Sequence, residues 1–450
     1  MASGSRVARM GVAPEDTQRV APGRVGAFTA VCLLVSNAVG SGIFTTTGFL
    51  ARDLGDARLV LALWVVGGLL ALAGALSYSE LGAALPRAGG EYVYLRRAYG
   101  PLAGFLAGWT SFTMGFGAAT AAAAAGFAAY MAELVPGAAR APTLLAIALV
   151  WGLTAFHARG VERGGSLQRT LTALKIGGIV ALVVAAFAWG EGTFEHLAHA
   201  PADVAPSPGS LLVGLVFVLY AYSGWNAVGY VAAEIHDPGR SLPRATITGT
   251  LVVAVLYLAL NLVYFYALPV VELAREPVLP IARKAASALF GASASRAVVA
   301  LLCASIAGCA SAMIWVGPRV LQAMARDGAA PAWLARSARS GAPARAILVQ
   351  SGWITLLLLS GSFETLVVYG GVALALGSAL GVSAVIVLRA REPDLLRPYR
   401  VPLYPWVPLA YIAASLLVFA CALLERPLEA CLALATVATG VPLYHLWRKT

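Results

Sequence analysis

The chain has 450 residues, 60% of them hydrophobic and only 12% charged, and its mean hydropathy is +0.79. This composition excludes an ordinary soluble protein and predicts an all-α integral membrane protein with many spans. The formal net charge of +11 does not require nucleic acid as a partner, because the charges lie mostly between the apolar segments, where they set the orientation in the membrane.

Twelve apolar runs are long enough to cross about 30 Å of hydrocarbon. They cover residues 27–51, 58–85, 101–134, 142–158, 166–190, 209–235, 245–270, 295–322, 344–361, 364–388, 405–424 and 428–447. With the N-terminus inside the cell, 22 of the 32 Lys and Arg residues fall in cytoplasmic segments and eight in outer segments. Since basic residues concentrate on the cytoplasmic side, both termini are predicted to be inside.

The segments outside the spans predict three further features. Residues 1–24 form a cytoplasmic tail, because the apolar run that follows is too long for the core of a signal peptide, and residues 25–450 form a single membrane domain. Residues 86–100 predict an amphipathic helix at the cytoplasmic surface. Residues 271–294 form an outer loop that is long enough to fold into a lid.

The cysteines lie inside apolar segments and lack the spacing of metal ligands, so they are predicted to be small buried hydrophobic residues. They are Cys32, Cys303, Cys309, Cys421 and Cys431. We find no signature of a metal site, a cofactor, a phosphate-binding loop or a catalytic triad. Neither an enzyme nor an ATP-driven pump is therefore expected.

The first apolar run contains Gly40-Ser41-Gly42 at its middle, where glycine weakens a helix. In lipid, an interrupted helix is tolerated only where its backbone is buried in protein or lines a cavity. The stretch therefore predicts a binding site. Close helix packing through small residues is the alternative.

A second interruption, Ser223-Gly224, lies in the sixth run, five spans after the first. Paired breaks at corresponding positions of two halves are typical of secondary transporters built from inverted repeats. The sequence thus predicts two inverted five-helix repeats, at about 27–190 and 209–388, with helices 1 and 6 broken. Two extra helices follow at about 405–447, and the pairing of the breaks disfavours the packing alternative.

The ends of the broken helices define the chemistry of the predicted site. The second half of helix 1 begins with free N–H groups at Ser41, Gly42 and Ile43, which attract an anion. The first half ends in carbonyl groups around Val39, and helix 6 offers those near Tyr220, which suit an ammonium group. A site with both features fits a zwitterion, of which an α-amino acid is the simplest example.

These patterns resemble the amino acid-polyamine-organocation superfamily of transporters, and within it the L-type amino acid transporters and their bacterial relatives. The motifs that carry the resemblance are 39–44 in helix 1, 77–81 and 85–92 at the end of helix 2, 222–226 in helix 6, and 318–320 with 324–328 at the end of helix 8. The resemblance covers nearly the whole chain. It implies a fold of two inverted five-helix repeats plus two helices.

The resemblance also places Gly40, Ser223 and Gly224 at the substrate site and implies roles for single residues near them. Tyr220 stands where the family usually has an aromatic residue that closes over the substrate from outside. Asn226 matches an L-type asparagine beside the sixth-helix break. Tyr257 aligns with a tyrosine whose hydroxyl reaches the substrate carboxylate, and the alternative is that it is one more packed aromatic residue.

Lys175 lies well inside the fifth span, where a charge is a functional hypothesis by default. The alternative is that its side chain snorkels to the cytoplasmic interface. The resemblance implies that its ammonium takes the place of the sodium ion of sodium-coupled relatives, between helices 1 and 8. Ser305 is a candidate neighbour there, with Ser311 as its competitor, and Lys175 is either a fixed cation or a proton carrier.

Glu80 and Glu234 end the second and sixth spans toward the cytoplasm, near Arg87, Arg240 and Arg319. They predict either a charge network that closes the inner face or solvated helix ends.

The sequence thus predicts a multi-pass carrier of neutral α-amino acids in the cell (inner) membrane, which works by alternating access as an exchanger or facilitator. A proton-coupled symporter is the close alternative, and an amino-acid-binding membrane receptor is the alternative of another class. The expected partners are the amino acid and the lipid bilayer, with no nucleic acid. No partner subunit is expected, because the heavy-chain partnership of the family relies on a cysteine outside the spans, and none is present here.

Overall fold

The computed structural model describes residues 25–447 except 136, 138–139, 199–206, 277, 279–280, 339–340 and 362, so the predicted tail lies outside the described residues. Within them the chain is helical, with one isolated β-bridge between Val25 and Ile235. The α-helices are α1 (Ala27–Ala38), α2 (Ser41–Leu54), α3 (Ala57–Ala84), α4 (Glu91–Tyr99), α5 (Pro101–Thr110), α6 (Ala119–Leu134), α7 (Pro142–His157), α8 (Val161–Trp189), α9 (Pro208–Tyr222), α10 (Ala227–Tyr230), α11 (Pro238–Ala267), α12 (Val270–Ala274), α13 (Ile281–Val316), α14 (Pro318–Arg326), α15 (Ala344–Ser360), α16 (Phe363–Arg391), α17 (Trp406–Glu425) and α18 (Pro427–Trp447).

Nine helical segments of the described chain are long and apolar enough to cross a membrane. The other three predicted spans correspond to the shorter apolar helices α7, α9 and α15. Large apolar side chains are exposed on the spanning helices, as Leu69 is on α3 and Leu424 on α17. The prediction of an all-α integral membrane protein is therefore confirmed, whereas the number twelve, the inverted repeats and the orientation remain predictions.

Both predicted interruptions are present. The first helix stops at Ala38 and restarts as α2 at Ser41. The sixth stops at Tyr222 and restarts as α10 at Ala227. Gly224 in this second gap has φ +103°, a conformation that only glycine adopts without strain.

The two broken helices pack in a reciprocal way. Helix α1 contacts α11, the second helix of the predicted second repeat, and α9 contacts α3, the second helix of the predicted first repeat. Likewise α1 contacts α8, the last helix of the predicted first repeat, and α9 contacts α16, the last helix of the predicted second repeat. Helix α17 packs against α16, α9 and α3, and α18 packs against α16 and α5.

The third span contains a feature that the sequence did not predict. Between α5 and α6 the backbone forms a π-helix, Ser111–Ala118. Such segments are rare and are frequent at functional sites, because the wider turn changes which side chains face a neighbouring cavity.

Three predictions about segments outside the site are refined. Residues 86–100 do contain a helix, α4, but Glu91 to Leu95 are all buried, so α4 packs into the protein. In the predicted lid, Val278 lies beside α2. A Cβ built on Gly48 of α2 would be 2.6 Å from the Val278 side chain. Cys431 is exposed, so the prediction of burial is wrong for that cysteine and right for the other four.

Candidate binding site between two broken helices

The two helix breaks touch each other. A Cβ added to Gly42 would lie 2.8 Å from Cα of Ala221, so the start of α2 and the end of α9 are in backbone contact. A Cβ on Gly224 would lie 2.4 Å from Nδ2 of Asn37. That amide nitrogen donates to the carbonyl of Gly224 at 3.4 Å. The glycines in both breaks are therefore required by close approach.

Tyr257 of α11 joins the two breaks through one hydroxyl group. Its hydroxyl oxygen lies 2.7 Å from the carbonyl oxygen of Ala38 and 2.9 Å from that of Ala221, and its single proton is shared between these two acceptors. Its side chain is fully buried. The hydroxyl is thus a donor common to one carbonyl at the end of each half-helix, where intrahelical donors are lacking.

We expect Tyr257→Phe to reduce substrate exchange by about tenfold, because the two carbonyls lose the one donor that they share, and a buried carbonyl left unpaired costs about 1–3 kcal/mol. Tyr264→Phe is the matched control, since the Tyr264 hydroxyl lies on the same helix, is buried and has no partner among the described residues. Exchange rates in proteoliposomes compare the two variants. Equal rates for both would show that the bridge between the breaks does not matter for transport.

A narrow cavity lies between the breaks. It is lined by Asn37, Ala38, Gly40, Ser41, Gly42, Ala119, Ala123, Tyr220, Ala221, Ser223, Cys309 and Met313. Five predicted site residues thus meet at one cavity, namely Gly40, Ser41, Gly42, Tyr220 and Ser223. None of the lining side chains is charged.

The anion-attracting end of a helix faces this cavity. Ser41, Gly42 and Ile43 form the first turn of α2, where N–H groups have no intrahelical acceptor. Gly40, which precedes them, has no side chain that could cap the helix. Ser41 and Gly42 line the cavity, whereas the Ile43 side chain is packed in the core.

Lys175 lies at the carbonyl end of α1. Its ammonium donates to the carbonyl of Ser36 at 3.0 Å and to that of Val39, and its side chain is 1% exposed. The side chain therefore points into the protein toward the first break and does not snorkel to the interface. Since the Val39 carbonyl already has this donor, only its second lone pair is left for a ligand.

Other donors occupy neighbouring carbonyls. The Cys309 thiol of α13 donates to the carbonyl of Asn37 at 3.0 Å, and the backbone N–H of Ser223 donates to that of Tyr220 at 3.0 Å. The Ser305 hydroxyl is buried without a hydrogen-bond partner among the described residues, and Ser311 pairs with His157 at 2.7 Å. Neither serine hydroxyl is hydrogen-bonded to the Lys175 ammonium.

A second cavity adjoins the first on the far side of the sixth-helix break. Ser223, Gly224 and Asn226 line it together with Ser111 and Gly115 of the π-helix. The two cavities share Asn37, Ser223 and Met313 as walls. Asn226, a predicted site residue, therefore faces the neighbouring cavity and not the one between the breaks.

Ion pairs connect the ends of the helices on one side of the molecule, but with partners that differ in part from the prediction. Glu234 pairs with Arg319 at 2.6 Å, as expected. Glu80 pairs with Arg389 at 2.6 Å and with Arg397 at 3.4 Å, not with Arg87. The Glu80 side chain is only 2% exposed, so the alternative of a solvated helix end is wrong for Glu80.

Sequence reasoning missed several walls of the cavity. Asn37 is the most informative, because its Oδ1 is buried and has no hydrogen-bond partner among the described residues. Its Nδ2 donates to the carbonyl of Gly224, which leaves Oδ1 as the unpaired end of the amide. An asparagine one turn before Gly40 in an apolar run was the available signal. No sequence signal pointed to four other walls of the cavity, Cys309, Met313, Ala119 and Ala123.

Comparison with known proteins finds a family whose sequence profile matches this chain. The profile of a family described as "Amino acid permease" matches residues 25–430. The Asc-type amino acid transporter 1 of Mus musculus is 30% identical over 443 residues, which cover 94% of this chain and 82% of the relative.

Two further relatives cover most of the chain. The serine/threonine exchanger SteT of Bacillus subtilis (strain 168) is 28% identical over 430 residues, 94% of this chain and 97% of the relative. The large neutral amino acids transporter small subunit 2 of Mus musculus is 31% identical over 446 residues, 94% of this chain and 80% of the relative.

Proposed function

The chain belongs to the amino acid permease family, and on that premise we propose that it moves neutral α-amino acids across the cell membrane by alternating access, as an exchanger or facilitator. The observation that carries the proposal is an uncharged cavity between the ends of two broken helices. Its polar groups are backbone amides, backbone carbonyls and uncharged side chains. These groups suit a ligand whose two charges cancel.

The substrate carboxylate binds the N–H groups of Ser41, Gly42 and Ile43 at the positive end of α2. The ammonium group binds the carbonyl end of α9 near Tyr220, the remaining lone pair of Val39 and the free Oδ1 of Asn37. The carbonyl groups at the end of α1 are already paired with protein donors. The Asn37 side chain therefore supplies the hydrogen-bond acceptor that these carbonyls offer less readily.

The uncharged walls of the cavity limit the charge of the substrate side chain. The cavity walls include Gly40, Gly42, Ala119 and Ala123, and the backbone contact between Gly42 and Ala221 leaves no room for expansion at the breaks. Since no wall carries a formal charge, a cationic or anionic substrate side chain would be buried without a counter-ion at a large cost. Neutral amino acids are therefore the substrate class.

Alternating access requires the two faces of the site to open in turn. Helices 1 and 6 move against the other repeat helices, and Tyr220 closes the site from outside. The ion pairs Glu234–Arg319 and Glu80–Arg389 close it toward the cytoplasm, with the N- and C-termini on that side. The chain works without a partner subunit, although one relative is named as a small subunit.

The test is reconstitution of the purified protein in liposomes, with labelled alanine, serine, threonine and leucine offered outside. We expect uptake that depends on unlabelled amino acid inside, because exchange needs a substrate on each face. Uptake into empty liposomes driven by an acid exterior would establish proton symport instead. No flux of any amino acid under either condition, with binding retained, would identify a receptor and overturn the proposal.

A further inference from the structure

Glu91 is a buried acid that the function proposed above does not use. It is the first residue of α4, and its side chain is 4% exposed. Its Oε1 accepts hydrogen bonds from the Tyr78 hydroxyl at 2.9 Å and from Asn226 Nδ2 at 3.0 Å. Its Oε2 accepts one from the Ser111 hydroxyl at 3.3 Å. Three different parts of the chain thus converge on one carboxyl group.

All three of these partners are uncharged. The titratable groups facing this carboxyl are tyrosines from α3, from α4 itself, from the segment after the sixth-helix break and from α17: Tyr78, Tyr94, Tyr230 and Tyr411. Nearby cations are paired with other acids, in the described pairs Arg389–Glu80, Arg397–Glu80, Arg319–Glu234 and Arg96–Asp327. Helix α16 faces the acid with Gly377, a residue without a side chain.

A carboxylate in such a place is costly, because burial removes its hydration and no cation replaces it. Burial raises the pKa of Glu91 above the ordinary value of a glutamate, while the hydrogen bonds from Tyr78, Asn226 and Ser111 oppose part of that rise.

The surroundings also fit the neutral acid. In that form Oε1 keeps its two donors as a carbonyl oxygen, and Oε2–H donates to the Ser111 hydroxyl. Ser111 can then donate to the Tyr230 hydroxyl, which lies 2.9 Å away. Every polar atom of the carboxyl group is satisfied without a charge.

The position of Glu91 couples it to the break in helix 6. Asn226 belongs to the gap between α9 and α10, and Ser111 begins the π-helix that lines the neighbouring cavity. A movement of the broken helix that opened the cytoplasmic face would withdraw Asn226 and admit water to the carboxyl. The acid would then be a hydrated carboxylate, whereas in the structure described here it is enclosed.

We propose that Glu91 binds a proton from cytoplasmic water when the inner face closes and releases it when that face opens, so that acid slows the opening of the carrier. This inference rests on the proposed function, because it assumes an inner face that opens and closes. The proton adds to one carboxylate oxygen and leaves from the same oxygen. It does not cross the membrane.

The sign of the pH effect follows from the two states. The closed state, in which the acid has the raised pKa, is favoured fully at pH values below the ordinary pKa of an exposed glutamate. That preference is lost as the pH rises through the raised pKa. Opening should therefore become easier from acid to neutral pH, by about tenfold for each unit of pKa difference between the two states.

The test measures exchange of labelled for unlabelled serine in proteoliposomes, at equal pH on both sides and over a series of pH values that starts at the ordinary pKa of an exposed glutamate and rises to neutral pH and above. Equal pH removes any driving proton gradient. Wild-type exchange should rise with pH. Glu91→Gln, whose amide copies the neutral acid, should stay at the slow, acidic rate throughout, and Glu425→Gln, which removes an exposed carboxylate, should keep the wild-type profile.

Tyr78→Phe is a second variant, needed where Glu91→Gln does not fold. It removes a donor to the carboxylate and should move the midpoint of the pH profile upward. A flat wild-type profile, an unchanged profile in Glu91→Gln, or an unmoved midpoint in Tyr78→Phe would each overturn the inference. Failure of the proposed function is distinct from these, since the wild-type protein would then exchange no serine at any pH.

Discussion

Replacing Gly42 with alanine should reduce amino acid exchange by at least about tenfold, since forced overpacking costs about 1–3 kcal/mol. The added Cβ would lie 2.8 Å from Cα and 2.9 Å from Cβ of Ala221, and the Cα belongs to the backbone, which cannot rotate away. The two breaks would be pushed apart at the point where the substrate carboxylate is proposed to bind. Exchange in proteoliposomes and the affinity for serine in detergent measure the effect.

Gly177→Ala is the matched control for this change. Gly177 lies in α8, also a membrane helix, and a Cβ there would meet nothing within 4 Å. Alanine should leave transport unchanged and favour the helix by about 0.5–1 kcal/mol. Wild-type exchange in Gly42→Ala, with normal protein levels, would mean that the contact between the breaks is not part of the site.

Replacing Lys175 with methionine should reduce exchange roughly 10- to 100-fold, because two buried carbonyls lose their donor at about 1–3 kcal/mol each. Methionine keeps most of the side-chain volume, so the change removes the ammonium and its hydrogen bonds to Ser36 and Val39 with little change in packing. The end of α1 would then lack the cation that holds it. Exchange rate and melting temperature both report this loss.

Lys284→Met controls for the removal of a lysine, because Lys284 lies in the segment before the kink at Gly291, outside the predicted spans. The same pair of variants tests the proton-carrier alternative. If the wild type accumulates substrate under an inward proton gradient and Lys175→Met still does so, Lys175 is not the proton carrier. A fixed cation predicts slower exchange in the variant with no change in its response to the gradient.

The breaks in the first and sixth helices could be predicted because their causes are local. Gly40-Ser41-Gly42 and Ser223-Gly224 weaken a helix wherever it packs, and the structure interrupts both helices there. The burial of Lys175 was open to prediction for a similar reason, since a lone charge deep in an apolar run must find carbonyls or reach the interface.

The hydrogen-bond and ion-pair partners of the buried charged residues could not be predicted from the sequence. Glu80 lies close in sequence to Arg87, yet it pairs with Arg389, 309 positions away, because the end of α16 packs beside the end of α3. The sequence predicts a surface helix at residues 86–100, yet Glu91 in that stretch is buried and accepts a hydrogen bond from Asn226 in the turn after α9. In helices rich in Ala and Leu, lipid and protein interior select the same side chains, so the apolar pattern does not record which face meets which neighbour.

The sequence by itself determined that this protein is a helical membrane protein with two interrupted helices and that its charges lie mainly at the ends of the spans, because apolar length, glycine and charge act on the chain segment that contains them. Only the tertiary structure decided that Asn37 and Cys309 line the cavity, that Tyr257 joins both breaks and that Glu91 is enclosed without a cation. Those facts depend on contacts between helices that are distant in sequence. Their geometry is set by side-chain packing, which no single segment encodes.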